Sequence, residues 1–456
     1  MNKKLMALAV AGALTAPGLA VAQVGSSPGV TLYGRIDSMI MNNSFTADYA
    51  NSLNQNNGRS AVKKGDLYQA GNAMGVRGRE DLGGGTSFWF QLETGVWNER
   101  LDTGTTTGNQ WGGRNSAIGF TSGLGDISWG IWDNPYKQIY GVSNLITSSG
   151  FSNAGIILGN GDTTGALNNA LCTSTVNNGS GVIATTPASP TAANSSVCTT
   201  EVTQGNTQWS RRTSDSINYA TPVMAGVQVK LQMAMAPYQS PSVSPGSGAI
   251  LSGLPKAKSN SAGVTWARGP VGVGFGYEVH EGLRPGTAAT GVANPQDKAM
   301  QVGAKFDFGM GQVGVALEKL DYAQNNNSAT AQNGMKVTNT MFNGRLNAGP
   351  GAVWAQLTST PGGKSCVGPV GTTVGITIGS ASCGDFGKAK IMSVGYDYIL
   401  SKRTKFYVAY AKFDNGNGTN YYYIAGPAGN NANGTSSGIQ VGTDVTTFGV
   451  GAQHSF

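Results

Sequence analysis

Apolar and polar positions alternate with period two over short stretches along most of this chain. In Val30-Thr31-Leu32-Tyr33-Gly34-Arg35-Ile36-Asp37, the apolar Val30, Leu32 and Ile36 fall on one face and Thr31, Tyr33, Arg35 and Asp37 on the other. Such a period is that of a strand with two unlike faces. It recurs in sixteen segments, near 29–41, 69–79, 86–98, 112–122, 125–133, 213–220, 224–236, 259–268, 270–281, 297–308, 311–322, 335–347, 351–359, 389–399, 404–413 and 444–456. The connections alternate strictly between tight ones, such as Glu80 to Gly85, Arg268 to Pro270, Gly309 to Gly311 and Ser401 to Arg403, and long polar ones. A soluble sandwich has no reason to keep that asymmetry, whereas a membrane barrel has short turns on one side and long loops on the other. The pattern therefore predicts an all-β chain: a 16-stranded antiparallel transmembrane β-barrel with short periplasmic turns and long extracellular loops.

The N-terminus adds the compartment. Met1-Asn2-Lys3-Lys4 is a basic start, Leu5 to Ala16 is apolar, and Ala20-Val21-Ala22 is a small-residue cleavage site, so residues 1–22 read as a cleaved signal peptide and 23–456 as the barrel. The apolar stretch is too short for the roughly 20 residues that a membrane-crossing helix needs. Composition agrees with strands and loops: the 456 residues include 69 glycines, about twice the usual share of ~7%, and only 12% are charged. Removing Lys3 and Lys4 from the formal +7 leaves +5, without a basic run or an aromatic-basic alternation, which argues against a nucleic-acid partner.

The final segment places Thr446, Phe448, Val450, Ala452, His454 and Phe456 on one face and stops on an aromatic ring. A terminal Phe on an alternating strand is similar to the signal read by the outer-membrane assembly machinery, and Phe456 is expected to serve as it. Trp97, Trp111, Tyr407 and Tyr410, near strand ends, are candidates for aromatic girdles at the membrane surfaces. Four cysteines in an exported chain read as two disulfides. Cys172 with Cys198 and Cys366 with Cys383 close local loops, while cross-pairing would tie two loops together. Catalysis finds little support: there are two histidines, His280 and His454, no Gly-x-Ser-x-Gly elbow and no His-Glu-x-x-His motif. Gly159-Asn160-Gly161-Asp162 has too few carboxylates around it for calcium, so neither metal nor cofactor is expected.

Several motifs carry a family resemblance. They are Gly29 to Asp37, Gly75-Val76-Arg77-Gly78-Arg79-Glu80-Asp81-Leu82-Gly83-Gly84-Gly85, Ser216-Ile217-Asn218-Tyr219-Ala220-Thr221-Pro222, Gly395-Tyr396-Asp397-Tyr398 with Leu400-Ser401-Lys402-Arg403-Thr404, and Phe448 to Phe456. Together they resemble the Gram-negative porins of the β-proteobacterial type, trimeric sixteen-stranded barrels. The turn motif has its own logic, since Asp81 can cap backbone N–H groups and Gly83 to Gly85 can take positive φ.

The resemblance implies that the third loop, roughly 134 to 212, folds into the lumen and narrows it. It also implies arginines on the facing wall. Arg114 and Arg212 match two such positions, Ala73 stands where a third is often found, and Ile131 replaces another. Strand parity adds Arg35, so Arg35, Arg114 and Arg212 are the expected pore-lining cations. Asp133 and Asp162 are the acidic candidates on the loop, and Trp129, Trp132 and Tyr136 make its entrance aromatic. The implied function is a water-filled channel for passive diffusion of ions and small hydrophilic solutes, weakly anion-selective, in a homotrimer embedded in outer-membrane lipid. A substrate-specific channel and an adhesive or plugged structural barrel are the alternatives.

Overall fold

The computed structural model describes residues 29–46, 63–69, 71–96, 111–146, 151, 157–159, 209–235, 258–281, 296–322, 335–365, 384–415 and 444–456. The signal segment, Trp97, Asp162 and all four cysteines lie outside these residues. The strands are β1 (Gly29–Thr46), β2 in two halves (Lys63–Gln69 and Ala73–Gly83), β3 (Thr86–Gly95), β4 (Ser116–Ser122) and β5 (Gly125–Asp133). Helix α1 (Pro135–Ser143) follows, then β6 (Arg212–Ala220), β7 (Val227–Met235), β8 (Lys258–Arg268), β9 (Val271–Glu281), β10 (Gln296–Asp307) and β11 (Gly311–Tyr322). The last five are β12 (Met335–Ala348), β13 (Gly351–Ser365), β14 (Gly384–Ile399), β15 (Thr404–Asn415) and β16 (Asp444–Ser455).

Each strand pairs antiparallel with its chain neighbours, and β1 pairs with β16 from Arg35↔Ser455 to Thr46↔Asp444, which closes the sheet into a barrel. Closure leaves no open edge, so every strand can find a backbone partner without water. Val30, Leu32, Leu317, Phe342, Phe406 and Phe448 are exposed on the outer face. No helix of the described residues is long and apolar enough to cross a membrane. The strands do the crossing.

The second strand departs from the expected 69–79. It starts earlier, at Lys63, runs to Gly83, and is interrupted around Gly71, whose φ is +64°. Its two halves pair with successive parts of β1, Lys63–Gln69 with Ser44–Ser38 and Ala73–Arg79 with Arg35–Gly29. Period two was lost at the interruption, which hid the upper half. Strands β13 and β14 also exceed the expected 351–359 and 389–399, because their pairing runs on through Pro361 and two glycines to Ser365↔Gly384. The first short turn forms as its residues predict: Asp81 Oδ1 accepts from the Gly83 N–H at 2.9 Å, and Gly83, Gly84 and Gly85 have φ of +82°, +62° and +76°.

Between β5 and β6 the chain enters the barrel. Asn134 caps α1 by accepting from the Lys137 N–H at 2.8 Å, Pro135 stands in the first turn, and the Asn144 N–H closes the far end on the Tyr140 carbonyl at 3.0 Å. The inner face of β8 to β11 is bared of side chains where α1 lies, by Gly263, Gly274, Gly276, Gly303 and Gly314. A Cβ at Gly276 would stand 2.9 Å from the Ile139 side chain, and one at Gly314 2.1 Å from the Ser143 carbonyl oxygen. Glycine here makes the recess in which the helix sits.

Candidate functional site

Two buried carboxylates hold the inserted loop against the wall. Glu318 of β11 accepts from the Tyr136 hydroxyl at 2.7 Å, the Gly159 N–H at 2.6 Å and Asn339 Nδ2 at 2.7 Å. Glu278 of β9 accepts from Asn134 Nδ2 and Ser259 Oγ, contacts His280 Nε2 at 2.7 Å, and lies 3.5 Å from Arg211 Nη2. Trp209, from the returning limb of the loop, stacks on His280 at 3.8 Å. Beyond α1 the loop continues along the wall, where Leu145 N–H donates to Asn343 Oδ1, Gln356 Nε2 to Asn144 Oδ1, and Ser393 Oγ to the Phe151 carbonyl. The loop thus lines the inner face from β8 round to β16, where Phe151 covers Gly449 and packs with Met39 and Met41 of β1, and leaves the inner face of β2 to β6 and the turn-side half of β1 opposite it.

That opposite face carries the charge. Arg114 Nε reaches Glu93 Oε1 at 2.6 Å, the Tyr33 hydroxyl donates to Glu93 Oε2 at 3.0 Å, and Arg35 Nη2 donates to the Gly71 carbonyl at 2.9 Å in the break of β2. Asp133, at the end of β5, takes Lys137 Nζ of α1 at 2.5 Å, Asn115 Nδ2 at 2.9 Å and Arg212 Nε of β6 at 3.5 Å. Arg114 lies within electrostatic range of Arg35, Arg212 and Lys137, so the two ion-paired groups form one cluster. About a quarter of the side chain is open at Arg114 (24%), Arg212 (26%) and Lys137 (25%), enough for each to meet a passing solute. Lys230 extends the cluster, donating to Gln138 Oε1 of α1 at 2.5 Å.

The structure therefore brings the expected Arg35, Arg114, Arg212 and Asp133 together. Ala73, at one expected arginine position, faces inward and is buried. The cluster also contains Lys137, Lys230, Glu93 and Tyr33, which the sequence reading did not single out. Tyr33 and Glu93 share inward parity with Arg35 through the Gly75 register, a signal that needs the pairing of three strands. Burial pushes the Lys137 ammonium below the usual lysine range, against the opposing pull of Asp133, and Arg212 adds to the fall. Four cations, Arg35, Arg114, Arg212 and Lys137, face Glu93, Asp133 and the more deeply buried Asp37, an excess of positive charge in a confined lumen. Field lines confined by low-dielectric walls raise the local concentration of counter-ions.

The aromatic positions resolve into packing. Trp129 faces outward, Trp132 packs on Trp89 with ring centroids 5.6 Å apart, and Tyr136 is fully buried under the loop. Tyr407, expected at a girdle, faces inward instead, where its hydroxyl donates to Asp37 Oδ1 at 2.5 Å. It sits one residue out of phase with the outward Phe406, Val408 and Tyr410. Among the described residues, no group of three or more potential metal ligands occurs.

A model described as Gram-negative porin matches residues 7–418. The major outer membrane protein P.IB of Neisseria gonorrhoeae is 31% identical over 154 residues, 33% of this chain and 38% of that protein, so the likeness spans well under half of the relative's length. Among solved structures, the anion-selective porin from Comamonas acidovorans is 18% identical with a TM-score of 0.56, covering 94% of this chain and 100% of that one. OmpF of Salmonella typhi in complex with daunomycin is 13% identical with a TM-score of 0.51, covering 95% and 99%. At these identities the solved neighbours attest the fold alone, and the family match runs across most of the chain. The chain belongs to the Gram-negative porin family, which places it in the outer membrane.

Proposed function

We propose that the protein is a diffusion channel, a water-filled passage for ions and small hydrophilic solutes with a weak preference for anions. The observation that carries this reading is the eyelet cluster, in which Lys137 of the inserted loop joins Arg35, Arg114 and Arg212 of the facing wall. The described part of the loop beyond Asp133 offers no acidic side chain to balance them. The name of the Comamonas neighbour, an anion-selective porin, agrees with that charge. The family and fold are those of channels rather than enzymes.

The same reading includes a homotrimer as the working unit, insertion by the outer-membrane assembly machinery with Phe456 as its signal, and removal of residues 1–22 on export. Asp162 and the disulfides Cys172–Cys198 and Cys366–Cys383 belong to it as well, though all five residues lie outside the described ones. The decisive experiment is planar-bilayer conductance of the purified protein across a salt gradient. Stepwise openings in threes with a reversal potential favouring chloride are expected. A barrel that passes no current is plugged, and the channel reading then fails.

A further inference from the structure

The inserted loop shelters a second set of charges that the eyelet does not use. On β10, β12, β13 and β14 the residues that meet the loop are Gly303, against Ser143, Asn343 and Gln356, which donate to the Ser143 carbonyl and to Asn144 Oδ1, and Ser393, which donates to the Phe151 carbonyl. Nearer the short turns, on the same inward side of those strands, stand Lys305, Arg345, Trp354 and Asp397. Lys405, the second residue of β15, joins them by reaching Asp397. These side chains form a shelf between the loop and the turn-side mouth of the barrel.

The acids of the shelf are already engaged. Asp397 Oδ1 accepts from Trp354 Nε1 at 2.9 Å, and Oδ2 accepts from Arg345 Nη1 at 2.7 Å and from Lys405 Nζ at 3.3 Å. Its side chain is fully buried, while Arg345 and Lys405 keep 17% and 11% of theirs open. Asp307, beside Lys305, accepts from the Gly309 N–H and from Gln312 Nε2, both at 2.8 Å. Lys305 is half-buried and makes no hydrogen bond or ion pair among the described residues. It stands between two glycines, paired with Gly272 on β9 and Gly314 on β11, and its Cε lies 3.1 Å from where a Cβ on Gly272 would be.

We propose that this shelf is a second anion site, on the turn side of the loop, and that it takes doubly charged oxyanions such as sulfate and phosphate esters. The proposal rests on the diffusion-channel reading and adds to it a stopping place beyond the eyelet. A guanidinium has five N–H donors and an ammonium three, so the cations retain donors while every oxygen of the two carboxylates is engaged. Lys305, Arg345 and Lys405 against Asp307 and Asp397 leave an excess of positive charge beneath the loop, in a lumen whose low-dielectric walls concentrate its field. Arg345 is fixed by Asp397, and Lys305 stands two strands away, roughly 10 Å across β11. Two long side chains can close that span on one tetrahedral anion, whereas chloride is too small to meet both.

The test is the chloride current of the full-length protein in a planar bilayer, with sulfate added to one face or the other and nitrate as the singly charged control. Sulfate is expected to reduce the current at a concentration roughly threefold or more lower from one face than from the other, because the shelf lies on one side of the eyelet. Nitrate should show no such difference. Lys305→Gln, which loses no partner and should keep the heat-modifiable gel mobility of the parent, is expected to remove the difference, as is Arg345→Gln, while Lys305→Arg retains it. A parent that passes no current overturns the channel reading and the shelf together. A conducting parent with an equal sulfate effect from both faces, with the same side dependence for nitrate, or with side dependence that persists in a folded Lys305→Gln variant, overturns the shelf alone.

Discussion

Lys137 concentrates the residue-scale argument, because it is a cation on the inserted helix where the facing wall is already basic. Lys137→Glu replaces a positive charge by a negative one within 2.5 Å of the atom that Asp133 now presents, and the reversal potential in a salt gradient should move towards cations. The lysine also titrates. With its pKa held below the ordinary value by burial, the ammonium loses its proton at a lower pH than a free lysine, so anion preference should decline as pH rises through that lowered value. Lys137→Arg, which keeps its charge, should hold the preference over the same pH range. An identical pH profile for parent and Lys137→Arg would exclude titration of Lys137 as the source of the pH dependence. Arg35 is set by a different device. Gly71 breaks β2 so that its carbonyl accepts from Arg35, and a Cβ there would lie 2.3 Å from Arg35 Nη2, so Gly71→Ala should displace the guanidinium and lower conductance.

At the scale of elements, the helix and its recess are two halves of one fit. Gly276→Val would drive a side chain into Ile139 and Tyr136, a cost of about 1–3 kcal/mol for overpacking, and thermal unfolding should begin at lower temperature with noisier current. Glu318→Ala removes the acceptor of three hydrogen bonds, on the order of 3 kcal/mol, and should loosen the same loop. A further element-scale expectation concerns the β13–β14 hairpin. Pairing reaches Ser365↔Gly384, and Cys366 and Cys383 are the next residue of each limb. Non-reducing peptide mapping should recover them as one linked pair, and free thiols at both would exclude it.

The strands were legible because lipid outside and polar lumen inside impose period two on every strand. Runs such as Val30 to Asp37 need no tertiary information. The expected turns were legible for a local reason too, as with Asp81 and its glycines. What stayed hidden depends on distant partners. Glu278 and Glu318 are separated by 144 and 182 residues from the Asn134 and Tyr136 groups they hold, and nothing near either carboxylate in sequence announces the loop. Lys137 is not legible in the sequence, since a single lysine beyond Asp133 reads as a solvated charge until the helix is seen to lie inside the barrel.

For the molecule as a whole, the seam between β1 and β16 is the place where the fold is completed. The Gly34 and Phe456 backbones exchange two hydrogen bonds, at 3.1 and 3.0 Å, and the Phe456 ring covers Gly34 so closely that a Cβ would meet it at 2.4 Å. Gly34→Val and Phe456→Ala should both reduce the yield of folded barrel, measured as the fraction of heat-modifiable protein in outer-membrane preparations. An unchanged yield for both would exclude a role of this contact in assembly.

The seam also sets a schedule. Its paired side chains Asn43 and Thr447 are 404 residues apart, and at roughly 5–20 residues per second the second leaves the ribosome on the order of 20–80 s after the first. Throughout that interval, and through the crossing of the periplasm that follows, β1 lacks its closing partner and no arrangement of the part already made can supply one. An alternating strand with an unpaired edge and an oily face recruits any similar strand it meets. The newborn chain therefore cannot complete its own fold piece by piece: copies must stay apart until the first and last strands arrive together at the membrane.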